Sequence, residues 1–97
     1  MELWIRSQDK EKLVIAEEIK IEREYIAHRY QELFHINTAY DELGTYETKE
    51  RALKVLDEID SIIQTNELFD LYSKLGNVPN RFIEEHSVVP VFQMPKK

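Results

Sequence analysis

From Thr48 until Gly76 the chain carries neither glycine nor proline. A stretch of that length without a breaker is the strongest constraint on the fold, because few conformations other than a helix use it economically. Within it Ala52, Val55, Leu56, Ile59, Ile62 and Ile63 recur at helical spacing and predict one buried stripe. Lys54, Asp57, Glu58 and Asp60 fall on other faces. Thr48 is suited to cap the first turn, and Glu50 lies where the positive end of the helix dipole favours an acid. Gln64-Thr65-Asn66 offers a second cap, so the stretch reads either as one bent helix or as two. In the second case Leu68, Phe69, Leu71, Tyr72 and Leu75 form the later buried face, ending at Gly76.

The remainder reads as strands. Leu3 to Gln8 alternates, placing Leu3 and Ile5 on one face and Trp4 and Arg6 on the other. Asp9 to Lys12 suits a turn, and Leu13 to Ile21 a second strand interrupted by a bulge at Ala16-Glu17-Glu18. Glu22-Arg23-Glu24 then reads as a turn, followed by strands over Tyr25 to Gln31 and Leu33 to Tyr40. Leu43 to Glu47 is a short strand, with Gly44 where a close approach is expected. Val88 to Met94 is a last extended segment, confined by Pro90 to an edge or a strap. Strands, then helix, then strand predict an α+β fold: a small antiparallel sheet with one long or two shorter helices on one face. At 97 residues this is a single domain, residues 1–97, whose modest core would gain from self-association.

Charge and cysteine usage narrow the function classes. With no cysteine there is no disulfide, thiolate chemistry or cysteine metal site. A net charge of -6 disfavours nucleic-acid backbone binding, which needs a basic footprint. A small anion held by two or three local arginines remains compatible with it. No apolar run approaches the roughly 20 residues of a membrane span, and no signal-peptide pattern opens the sequence. A cytoplasmic protein is the expectation.

Few residues point to catalysis. His28, His35 and His86 have no metal-motif spacing and read as surface or rim histidines. The acidic pairs Glu17-Glu18, Asp57-Glu58 and Glu84-Glu85 point in different directions on any regular element and read as solvated faces. Ser7, Ser61, Ser73 and Ser87 lack a nucleophile-elbow context, and no phosphate-loop glycine pattern is present. The expectation is therefore a protein that is not an enzyme and has no cofactor or metal. Arg6 beside Trp4, and Arg81 within Asn80-Arg81-Phe82, pair a guanidinium with an aromatic ring. Such a pair can hold a phosphate while the ring packs on a base or sugar. Tyr46 and Phe92 are further stacking candidates. Trp4 and Phe92 suit a core equally well, and Arg6 a surface ion pair.

Three stretches carry a resemblance: Trp4-Ile5-Arg6-Ser7-Gln8-Asp9, Leu43-Gly44-Thr45-Tyr46 continuing through Arg51-Ala52-Leu53 and Val55-Leu56-Asp57-Glu58-Ile59, and Val91-Phe92-Gln93-Met94-Pro95. Together they resemble a family of small bacteriophage proteins of Gram-positive hosts, some of which look like the Thoeris anti-defence sponges. The resemblance is thinnest from Gln64 to Val88. It implies a homo-oligomer in the infected host cell that sequesters a cyclic ADP-ribose type immune signal intact. On that reading Trp4, Arg6, Tyr46, Asn80, Arg81 and Phe82 bind the ligand. The alternative is a phage inhibitor of a host nuclease or other defence protein, of the anti-CRISPR type, acting by protein contact.

Overall fold

The computed structural model describes residues 2–74, 76 and 91–97. It is an α+β fold with six strands, β1 (Trp4–Arg6), β2 (Leu13–Ile15), β3 (Lys20–Ile26), β4 (Gln31–Asn37), β5 (Glu42–Tyr46) and β6 (Val91–Gln93), and one helix, α1 (Lys49–Lys74). The strands form two three-stranded sheets, ordered β2-β1-β6 and β3-β4-β5.

α1 is a single helix. Thr48 caps it as its pattern implies: its hydroxyl accepts the Arg51 amide at 3.1 Å. At the expected break the Thr65 hydroxyl instead donates to the Ser61 carbonyl at 3.0 Å, satisfying itself inside the helix. Asn66 is buried within the same run. Ala52, Val55 and Ile59 are the residues that reach full burial, while Leu56, Ile62 and Ile63 are only partly covered. Of the expected later face, Phe69 and Tyr72 are partly buried, whereas Leu68 and Leu71 are exposed. Leu75 lies outside the described residues.

β3, β4 and β5 make an antiparallel meander whose inner face carries Phe34, Ile36 and Tyr46. These pack with Val55 and Ile59 in one core that also takes Leu3, Ile5, Leu43 and Met94. Glu22-Arg23-Glu24, expected as a turn, is the middle of β3, in register with His35, Phe34 and Leu33. All three side chains are exposed, so their charges stay in water and do not oppose strand pairing. The reversal comes later, at a 3₁₀ turn over Ala27–Arg29 closed by Tyr30 in the left-handed region, φ 48°. The expected strands at Tyr25 to Gln31 and Leu33 to Tyr40 are thereby replaced by β3 and β4. Leu13 to Ile21 is likewise divided between the sheets, for the chain bends at Ala16 to Ile19 and Glu18 takes φ 46°.

In the other sheet β1 is central. Ile5 is buried and Trp4 and Arg6 face outward, as the alternation implies. β2 runs antiparallel to β1 through the polar turn Ser7 to Lys12. β6 runs parallel to β1, with Trp4 opposite Val91 and Arg6 opposite Gln93. The chain reaches this parallel neighbour only after α1, which fits the rule that parallel strands need a long crossover. Val88 to Pro90 lie outside the described residues. Gly44 serves the expected close approach: a Cβ there would stand 3.1 Å from the Tyr46 hydroxyl and 3.2 Å from Met94 Cε. A side chain at this position would have to push Tyr46 or Met94 aside.

Candidate functional site

The residues following β6 fold back over β5 and the first turn of α1, held by one side chain from the turn after β1, one from β5 and one from α1. Gln8 Nε2 donates to the Pro95 carbonyl at 3.0 Å and the Lys96 carbonyl at 2.7 Å. The same amide reads β5 as another strand would, accepting from Thr45 N at 2.9 Å and donating to Thr45 O at 3.2 Å. The Tyr46 hydroxyl donates to Pro95 O at 2.8 Å. Arg51 Nε donates to Lys97 O at 2.7 Å. All three motif-bearing stretches therefore meet here, through Gln8, Thr45 and Tyr46, and Pro95.

Beside this junction lies a cleft of about 650 Å³ lined by Thr45, Tyr46, Thr48, Arg51, Lys96 and Lys97, with Glu47 and Leu33 at its border. Among the described lining residues three cations stand against one carboxylate, which makes it locally positive on a chain of net charge -6. The N-terminus of α1 opens beside it and adds the partial positive charge of unpaired amides. Arg51 also lies 4.0 Å from Glu58, so its guanidinium is positioned before anything binds. Burial pushes the Tyr46 hydroxyl up to about 12, with Arg51 acting downward and Glu58 upward, so at neutral pH it is a fixed neutral donor. A larger groove of about 800 Å³ on the inner side of β3 and β4 is lined by Glu32, Glu47 and Glu50 against Arg23 and Lys49, a balance that does not favour an anion.

Of the residues expected to bind a ligand, Tyr46 lines the cationic cleft. Trp4 and Arg6 share the outer face of β1, and Trp4 lines a different groove. Arg6 donates to its own turn, at 3.5 Å from Lys10 O. Asn80, Arg81 and Phe82 lie outside the described residues. Arg51, Lys96 and Lys97 escaped notice in the sequence. Arg51 reads there as an ordinary helix residue, and its place in the third position of α1 was the available signal. A lysine pair after a proline carries no pattern at all.

His35 is far from an ordinary rim histidine. Its side chain, 18% exposed, sits on the outer face of the meander, with Nδ1 2.7 Å from Glu42 Oε1 and Nε2 3.0 Å from Glu24 Oε1. Thr45 Oγ1 is 2.9 Å from Nδ1, and Glu22 lies opposite in register. Partial burial opposes the charged ring, but the hydrogen bonds to Glu24 and Glu42 and their negative charges outweigh it, so the pKa is raised above 6.5. The two carboxylates approach opposite ring nitrogens and do not converge. Among the described residues no group of three histidine, aspartate or glutamate side chains is arranged to hold a metal ion.

A raised folded pKa means that the proton stabilises the fold. Its contribution is complete below the unfolded pKa near 6.5 and is lost as pH rises through the folded value. Neutral imidazole has one N–H, so one carboxylate must then face a lone pair. Urea melts between about pH 6 and pH 8 should show stability falling with pH in wild type and a flatter profile in His35→Gln. Parallel profiles would remove the clamp role.

Compared with known proteins, the chain matches no protein family, no curated protein and no solved structure. Among the described residues no helix is long and apolar enough to cross a membrane.

Proposed function

We propose that this is a capture protein that holds a compact phosphate-bearing cyclic nucleotide, of the cyclic ADP-ribose type, without cleaving it. The observation that carries the reading is the cationic cleft: Arg51, Lys96 and Lys97 gathered around Tyr46 at the head of α1. Guanidinium forks hold phosphate oxygens bidentately, and the lysines add charge without fixed geometry. The Thr48 hydroxyl, which accepts the Arg51 amide, still has its own proton to donate to a ribose oxygen. The tyrosine of the cleft keeps its proton at neutral pH, so it serves as a hydrogen-bond donor to a bound ligand. The resemblance to phage anti-defence sponges adds the setting: a homo-oligomer in the cytoplasm of an infected bacterium that lowers the free concentration of an immune signal.

Calorimetric titration with glycocyclic ADP-ribose tests this. Arg51→Ala is expected to weaken binding by roughly tenfold to a hundredfold, the loss of one charge-assisted hydrogen bond. A Lys96→Ala/Lys97→Ala double variant should weaken it less and make it less sensitive to salt. Ligand recovered after heat denaturation should co-elute with the starting compound, and a linearised product would mean that the protein is an enzyme. If wild type binds no cyclic nucleotide, inhibition of a host protein by direct contact becomes the better reading. Light scattering at tens of micromolar protein tests the oligomer, and a monomer mass would count against it.

A further inference from the structure

The outer face of the β2-β1-β6 sheet is open, with an apolar end around Trp4 and a polar end where Arg6 stands opposite Gln93. Trp4 stands at its centre, 37% exposed, with Ile15 opposite on β2 and Val91, 41% exposed, opposite on β6. A sheet face normally turns its apolar side chains to a covering layer, and an indole left in water marks a surface that is covered some of the time. From this face a groove of about 730 Å³ runs past β2 to the β4–β5 turn, where Tyr40 is 96% exposed. Among the described residues its charges are all of one sign: Glu17, Glu18 and Asp41 line it and no lysine or arginine does. Among the described residues Glu17 and Glu18 have no ion-pair partner, and Asp41 meets Lys12 at 3.5 Å from outside the groove. The groove shares no lining residue with the cationic cleft.

The occupant follows from that chemistry. Two aromatic rings and three carboxylates along an apolar floor suit an arginine or lysine whose alkyl stem packs while its head meets a ring face and a carboxylate. A nucleotide is disfavoured, because each phosphate would face Glu17, Glu18 or Asp41. A second copy of the chain is also disfavoured, because both would bring the same acidic rim and the same net charge of -6. β2 is an outer strand of its sheet, so an extended segment has room to lie alongside it.

We propose that the groove formed by Trp4, Ile15, Glu17, Glu18, Tyr40 and Asp41 is a docking surface for a basic, partly apolar polypeptide segment of another protein. Trp4 is the sole tryptophan, so its emission reports occupancy directly. The full chain is titrated with a short peptide of alternating arginine and leucine, and with its glutamate–leucine counterpart. The basic peptide is expected to shift Trp4 emission to the blue and the acidic one to leave it unchanged. Glu17→Gln/Glu18→Gln should weaken the response about tenfold, since two unpaired charges are lost. Tyr40→Ala should weaken it as well. Absence of a shift with the basic peptide, an equal shift with the acidic one, or full affinity in the Gln/Gln variant would each overturn the proposal. So would a blue shift that grows with protein concentration alone, which assigns the face to a second copy. A shift produced by glycocyclic ADP-ribose instead of the peptide returns Trp4 to nucleotide binding and overturns it too.

Discussion

Ile59→Ala is expected to lower the unfolding free energy by about 2–5 kcal/mol, the range for emptying a filled core site. Ile59 is essentially sealed, and it packs among Val55, Phe34 and Ile36 where α1 crosses the meander. The elements around it are tied by hydrogen-bonded strands on one side and a continuous helix on the other, so the cavity has little freedom to collapse. Leu56→Ala serves as the comparison. Leu56 follows Val55 in the same stripe, but it is only partly buried, so part of its transfer energy is never gained. It should cost less than half as much. Urea melts of both variants decide the matter, and equal losses would show that the boundary of the core has been misplaced.

Gln8→Ala should be the most damaging change to a polar side chain. One amide serves four backbone groups: it accepts from Thr45 N and donates to Thr45 O, Pro95 O and Lys96 O. Removing it takes a hydrogen bond from each of these groups, of which Pro95 O keeps the Tyr46 hydroxyl, a loss of about 1–3 kcal/mol. It also releases the residues that bring Lys96 and Lys97 to the cleft. Hydrogen exchange at the Thr45 amide should accelerate, and glycocyclic ADP-ribose binding should weaken in the same variant. Gln8→Glu sharpens the test. A carboxylate can still accept from Thr45 N but would face three carbonyl oxygens, so this variant should be worse than alanine at neutral pH and recover as the pH falls toward the carboxylate range. If Gln8→Ala melts like wild type and binds as well, the junction is ornamental.

What could be read in advance was what neighbouring residues decide between themselves. The cap at Thr48, the Val55 and Ile59 face and the outward Trp4 follow from local periodicity, and the α+β class follows from their sum. β3 was misread because its inward positions, Ile21, Arg23 and Tyr25, alternate weakly. Pairing with β4 makes it a strand, and that partner lies beyond a turn. The pairing of β1 with β6 joins segments separated by α1, and nothing within either one specifies the other. The candidate site divides in the same way. Tyr46 stood out as an aromatic in a dense motif, whereas Arg51, Lys96 and Lys97 become a group only once the last residues lie across α1. Asn80, Arg81 and Phe82 fall outside the described residues.

The parallel pairing of β1 with β6 also sets an order of events. The β3-β4-β5 meander and α1 are consecutive in sequence, so their contacts close short loops and can form soon after the chain is made. β1 can pair early with β2 through the short Ser7 to Lys12 turn, but its other edge waits. Its neighbour across the Trp4–Val91 register is joined to it only through the meander and α1, and closing so long a loop carries the larger entropy cost. The β1–β6 edge is thus among the last pairings to be completed. Side-chain truncation at Ile36, in the early part, should slow refolding in stopped-flow measurements, while truncation at Phe92, in the late part, should mainly hasten unfolding. Until β6 docks, β1 presents an unpaired strand edge, the kind of surface that recruits other chains.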